Sequence, residues 1–293
     1  MNRFLSIHTE DRDVSKWPNT NHFSVVLPVE YKNVACIKLE DIQLPFTHYV
    51  FTTAYGNTTF LVGTTTPTTT VTIAEGTYTP YELATELANK ITAALENQDV
   101  IVEYNAIQYK YIFTSSSAFS LSFETSNINH SNWGLGSHLG FKKQSYTSVL
   151  KTNNYDLPLG DSAEALYRIM SESPCFIYGH STIYMEIDQY NTMDEIEPYT
   201  YKSNLLVHSR HSGKHNSCFA KISALPKSIE DVSQTGISSY GFIHNPFRSE
   251  PPLERVQKLI FKFRYHDGRL IDFGNVDFNF TLSFLLVHEC MRK

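Results

Sequence analysis

Between Val276 and Leu286 every second residue is large and apolar: Val276, Phe278, Phe280, Leu282, Phe284 and Leu286, with Asp277, Asn279, Thr281, Ser283 and Leu285 between them. Successive side chains of a β-strand point to opposite faces, so as a strand this run presents one apolar and one largely polar face. A helix would scatter the same residues around its circumference. Just upstream, Leu259, Phe261, Phe263 and Tyr265 alternate in the same way, and His266-Asp267-Gly268 follows them. Asp-Gly favours the positive φ of a tight turn, so the spacing predicts an antiparallel hairpin joining the two runs. Its wide aromatic face needs a second layer to cover it.

Other segments share the pattern. Phe23, Val25 and Leu27 alternate up to Pro28, which predicts a strand stopped by proline. A second strand is expected from Val34 to Pro45, with a β-bulge where the apolar spacing changes from two to three between Leu39 and Ile42. Residues 54–57 form a turn between Tyr49–Phe51 and Phe60–Val62, and the threonine tract Thr64–Thr70 is an exposed loop. Then the pattern changes. Thr79-Pro80-Tyr81-Glu82 combines an N-cap, a first-turn proline and a Thr-x-x-Glu capping box, and Leu83, Leu87, Ile91 and Leu95 recur at four-residue steps. Strands are expected at 100–104, 109–114 and 119–123. Asp161 to Met170 reads as a short capped helix. Period-two pattern resumes at Ile183–Asp188 and Cys218–Ile222, separated by the polar segment Gln189–Asn216, and Pro226–Leu253 is a further irregular stretch.

This order predicts a mainly β chain: an antiparallel, jelly-roll-like β-sandwich interrupted by a small α+β domain. The sandwich takes residues 1–62 plus 174–293, the insert takes 63–150 (strand, helix, three strands), and 151–173 is a connector. The strands at the two ends need one another, because neither end alone can cover its inner face.

The residues offer little convergent chemistry. Gly134-Leu-Gly136 with Gly140 has the wrong glycine spacing for a dinucleotide loop, and no helix start follows it. Gly179-His-Ser181 lacks the closing glycine of a nucleophile elbow. His208, His211 and His215 with Cys218 could bind zinc, but Gly213 opposes the helix that would align them, and Arg210 and Lys214 add repulsive charge. Glu195 and Glu197 read as solvated loop acids, and Asp11 and Asp13 beside Arg12 as a small charge cluster fixing the N-terminal segment. Neither a cofactor nor a metal is expected, and no enzyme activity. A formal charge of −6 gives no broad basic field for a nucleic-acid backbone. The N-terminal residues have no apolar run of signal-peptide length and nothing reaches the ~18 apolar residues of a membrane span. The four widely spaced cysteines therefore read as reduced, mostly core-filling thiols. Long loops are where contacts are made. The candidate contact residues are accordingly Tyr190, Tyr199, Tyr201, His208, His211, Tyr240, Phe242 and Phe247.

Several segments occur in a particular order: Asp11-Arg12-Asp13; Asn21-His-Phe23-Ser-Val25-x-Leu27-Pro28; Lys32-Asn33-Val34-x-x-Ile37-x-Leu39-x-x-Ile42-x-Leu44-Pro45; Gly76-x-Tyr78; Leu139-Gly140-Phe141. After them come Tyr184-x-Glu186-Ile187-Asp188, Phe219-Ala220-Lys221-Ile222, Lys258-Leu259-x-Phe261-x-Phe263, Asp267-Gly268-x-Leu270-x-Asp272-Phe273 and Asn279-Phe280-x-Leu282. Over nearly the whole chain this order resembles the minor capsid proteins of nucleocytoplasmic large double-stranded DNA viruses. The resemblance implies a non-enzymatic, late virion protein of a giant virus, made in the host cytoplasm and placed in the capsid shell. Its partners would be the major capsid protein, other minor capsid proteins and possible further copies of itself. Two other roles fit the same residues: a vertex or penton protein, or a binder of host-surface glycan through Tyr199 and Tyr201.

Overall fold

The structure, a computed structural model, describes residues 1–45, 49–95, 98–124, 134–151, 166–197, 214–223, 237–239, 242–243, 247–266, 268–274 and 276–287. They form a mainly β chain with antiparallel ladders throughout. The chain divides into two compact units, Met1–His48 with His180–Lys293, and Tyr49–Gly179.

The first unit is built on one curled sheet. In sheet order its strands are β1 (Asn2–His8), β18 (Asn279–Leu286), β2 (His22–Pro45), β17 (Phe247–Arg264), β11 (Thr182–Ile187), β14 (Ala220–Ser223) and β16 (Phe242–Ile243), with β15 (Ile237–Ser239) on the end of β2. The first and last described strands are thus neighbours, as the apolar faces at both ends of the chain require.

β2 shows how one sheet covers itself. Phe23 pairs with Phe261 of β17, and Ile42 pairs with Phe280 of β18. A straight strand would separate these two positions by roughly 60 Å at ~3.3 Å per residue. The rings of Phe23 and Phe280 are instead 6.5 Å apart and those of Phe261 and Phe280 5.0 Å. The sheet therefore folds over to make both layers of a half-barrel consistent with a jelly-roll-like sandwich. Register shifts lie along the way. One is the expected bulge, where β18 passes from Leu39 to Asp41 without pairing Glu40. Another falls between Tyr31 and Val26, where Pro28 sits.

Pro28 accordingly does not stop the strand. The two expected strands are one of 24 residues, because a proline without an N–H is tolerated where the ladder is already interrupted. On β17 the next shift, between Arg248 and Leu253, holds Pro251 and Pro252 in the same way.

The expected terminal hairpin does not form. β17 and β18 are both antiparallel to β2, one on each side of it. A tight turn does follow β17, with Gly268 N–H donating to the Tyr265 carbonyl and Tyr265 N–H to that of Arg269, but pairing stops at the bridge Arg264–Leu270. Ile271, Phe273 and Phe278 are buried instead, with Phe278 5.1 Å from Phe263 ring to ring. The apolar face of the last run starts at Phe278 rather than Val276, which is exposed; Phe280, Leu282 and Phe284 are fully buried.

The second unit holds two four-stranded sheets and a helix. One sheet has the order β5 (Val100–Asn105), β6 (Lys110–Ser115), β10 (Leu166–Met170), β9 (Val149–Lys151). The other has β4 (Thr69–Thr72), β3 (Thr59–Gly63), β7 (Ser120–Ser122), β8 (Ser145–Thr147). Helix α1 (Pro80–Ala94) starts at the expected capping box and buries Leu83, Leu87 and Ile91 against Phe60, Phe113 and their neighbours. This unit is wider at both ends than residues 63–150, because β3 pairs with β4 and β7 while β10 pairs with β6. Leu166–Met170 is that paired strand and not the end of a helix; 161–165 lie outside the described residues. The Gly134–Gly140 stretch does carry a helix, the short α2 (Leu135–Leu139), and a Cβ at Gly136 would come within 2.7 Å of the Phe123 ring. That glycine serves packing.

Candidate interaction surface

The described ends of the polar segment after β11 are strands. β12 (Met193–Glu197) and β13 (Lys214–Cys218) form a hairpin with Glu195 opposite Asn216 and Ile196 opposite His215. Glu195 is not a solvated acid. Its side chain is 8% exposed and pairs with Arg264 of β17, and its second oxygen is 3.0 Å from His266 Nδ1. Arg264 also pairs with Glu186 of β11 and lies 5.2 Å from the Tyr184 ring centre. Burial works against the Arg264 charge, but the bonds and charges of Glu186 and Glu195 outweigh it and hold its pKa above the ordinary value. Burial, then the nearby Glu195 charge, pushes Tyr184 and the Cys218 thiol each up to about 12. The ion pair acts as a clasp: it pins the hairpin base, on either side of residues 198–213, to the sheet.

Most of the contact residues read from sequence fall in or near that segment. Tyr199, Tyr201, His208, His211 and Tyr240 lie outside the described residues. Phe242 is on β16, opposite Ile222 of β14. Tyr190 is a correction: it is buried, with its ring 5.1 Å from that of half-buried Phe247. The two pack on each other, so Tyr190 is not a free surface aromatic. Of the proposed histidine–cysteine set, His215 and Cys218 are on β13, and the Cys218 side chain is buried. Among the described residues no three His, Cys, Asp or Glu side chains converge as metal ligands. Arg12 also differs from expectation: it is buried and pairs with Asp277 at 2.5 Å rather than with Asp11 or Asp13. It donates besides to the carbonyls of Thr9, Trp17 and Pro18, and so ties the N-terminal turn to the residues just before the last strand.

Sequence reasoning missed an aromatic patch on the second unit. The β5–β6 turn exposes Ile107 (91%) and Tyr109 (58%), and Tyr81 and Phe176 are also exposed. Tyr81 stands edge-on to Tyr104 at 5.4 Å, and Tyr104 lies 5.5 Å from Tyr111. Burial, then the neighbouring Cys175 and Tyr178, pushes the Tyr104 hydroxyl up to about 12. The turn is closed by Asn105 Oδ1, which accepts from the N–H groups of Ile107 and Gln108. The signal was present: a hairpin tip normally carries polar residues, and this one carries Ile107.

No protein-family model matches the chain, and no curated protein matches it. Among the solved structures similar to the chain are two that match almost its whole length. One is the mavirus penton protein, at 11% identity and a TM-score of 0.42, covering 98% of this chain and 100% of that one. The other is a chain of the Sputnik virophage cryo-EM structure, at 12% identity and a TM-score of 0.46, covering 97% of each. Both are distant likenesses.

Proposed function

We propose that this chain is a structural component of a virus particle, a minor capsid protein that joins or stabilises assemblies of the major capsid protein in the shell. One observation carries the reading. Most of the segments that resemble minor capsid proteins fall, in order, on strands of the first unit: residues 22–28 and 32–45 on β2, 184–187 on β11, 220–222 on β14, 258–263 on β17 and 279–282 on β18, while 76–78 lie just before α1. They are framework, whereas the candidate contact surfaces lie between them. A scaffold that holds separate contact surfaces has the organisation of a joining protein. The Arg264 clasp fits the same reading, since it fixes a hairpin without leaving a reactive group free.

The test is location. Particles from an infection that produces this chain are purified through two density steps, digested and quantified by mass spectrometry, and the chain is traced in a density map of the same particles. A fixed ratio to the major capsid protein, with density between major capsid subunits, is the expected result. Density confined to the fivefold vertices would assign a penton instead. Absence from washed particles would end the virion reading altogether.

A further inference from the structure

A cavity of 610 Å³ in the first unit is lined by Leu5, Ser6 and Ile7 of β1 and by Ser24, Val25 and Val26 of β2, with Pro28, Lys258 and part of the 11–17 segment beside them. An interior cavity would meet only alternate residues of each strand, because neighbouring side chains leave on opposite faces. Here consecutive residues line one space: buried Ile7 and half-buried Leu5 and Val25 together with exposed Ser6 and Val26. The space therefore runs along strand edges.

Both edges are open among the described residues. β1 pairs with β18 on one side only. β18 covers β2 from Gln43 to Val34 while β17 occupies the opposite side, so residues 24–28 have no ladder on the β18 side. Natural edge strands are usually shielded by lysine, proline or a bulge. Residues 2–8 contain no lysine or proline; on β2, Pro28 ends the stretch and Lys258 borders it, and Phe4 and Val26 stand 66% and 64% exposed on the two strands.

We propose that this groove receives an extended strand of about five residues from another polypeptide chain, hydrogen-bonded through its backbone to β1 on one side and to β2 on the other. The chemistry of the walls selects that occupant. Main-chain N–H and C=O groups that have no ladder partner among the described residues match extended backbone, whereas a helix has already satisfied its own. The floor of Leu5, Ile7 and Val25 fits apolar side chains at alternate positions of the incoming strand. The proposal stands on the groove and is independent of the virion reading.

The test is amide hydrogen exchange of the full chain, read by NMR, with and without a capped hexapeptide alternating threonine and valine. In the free protein the edge-facing amides of residues 2–8 and 22–28 exchange fast. The peptide slows both sets by about tenfold or more and leaves the β17–β2 ladder unchanged; the same peptide N-methylated at alternate residues slows neither. Val26→Lys, at an exposed position, weakens the effect by about tenfold. Slowing at neither segment, or at one alone, overturns the proposal. So does protection already present without peptide: if it depends on protein concentration a second copy fills the groove, and if not the chain's own residues do.

Discussion

His138 shows how a single buried side chain can be read to its proton. Its Nδ1 is 2.9 Å from the Phe176 carbonyl, which can only accept, so Nδ1 carries the hydrogen. Nε2 faces Asn57 Nδ2 at 3.4 Å, and that amide is fixed, because Nδ2 donates to the Val50 carbonyl and Oδ1 accepts from Thr52 N–H. A second proton on Nε2 would confront a donor. Burial is the main cause that lowers the His138 pKa. The unfolded chain therefore binds a proton that the folded one refuses. Stability of the second unit should be full above pH ~6.5, fall by up to about 1.4 kcal/mol per pH unit below it, and level off beneath the folded pKa. Melting curves from pH 7.5 to 5 check this, and His138→Gln should flatten the slope. On the last strand, Phe280→Ala should cost ~3–5 kcal/mol and Thr281→Ala, on the opposite face, about 0.5 kcal/mol. Equal costs in urea titrations would contradict the burial of one face.

Helix α1 starts where its local signature said it would. The Thr79 hydroxyl accepts from Glu82 N–H, and the Glu82 carboxylate accepts from Thr79 N–H, which lowers the Glu82 pKa. Thr79→Ala should therefore cost ~1 kcal/mol by chemical denaturation, with unchanged slope against denaturant. At the β5–β6 turn the outcome should be the reverse. Ile107 touches solvent and not the core, so Ile107→Ser should leave melting within about 0.5 kcal/mol of the parent. If the aromatic patch is a contact surface, the same change should reduce incorporation into particles, measured against the major capsid protein in a producing infection.

At the scale of the molecule, pairing decides the boundaries. A fragment of residues 63–150 would lack most of β3, which lies between β4 and β7, and all of β10, which lies between β6 and β9. It should give no cooperative transition, whereas 49–179 should melt cooperatively by circular dichroism. Residues 1–48 joined to 180–293 by a short flexible linker should do the same, since the curled sheet draws its strands from both segments.

The sequence by itself determined whatever is written in neighbours along the chain: the alternating faces of β17 and β18, the bulge at Glu40, the capped start of α1 and the β5–β6 turn. Each is fixed by local sterics or by a period of a few residues. It also showed that the two ends of the chain belong together, because an apolar face demands a cover. What covers it was decided only in three dimensions. β2 lies between β17 and β18 because its 24 residues can serve both, and no local rule distinguishes that from a hairpin closed at Gly268. Leu166–Met170 became a strand through the free edge of β6, against a local helix signal. Glu195 lost its solvent to Arg264, 69 residues away, and Arg12 found Asp277 at the far end of the chain. Long-range pairing of backbone edges and of buried charges leaves no periodicity to read, so those choices belonged to the tertiary structure.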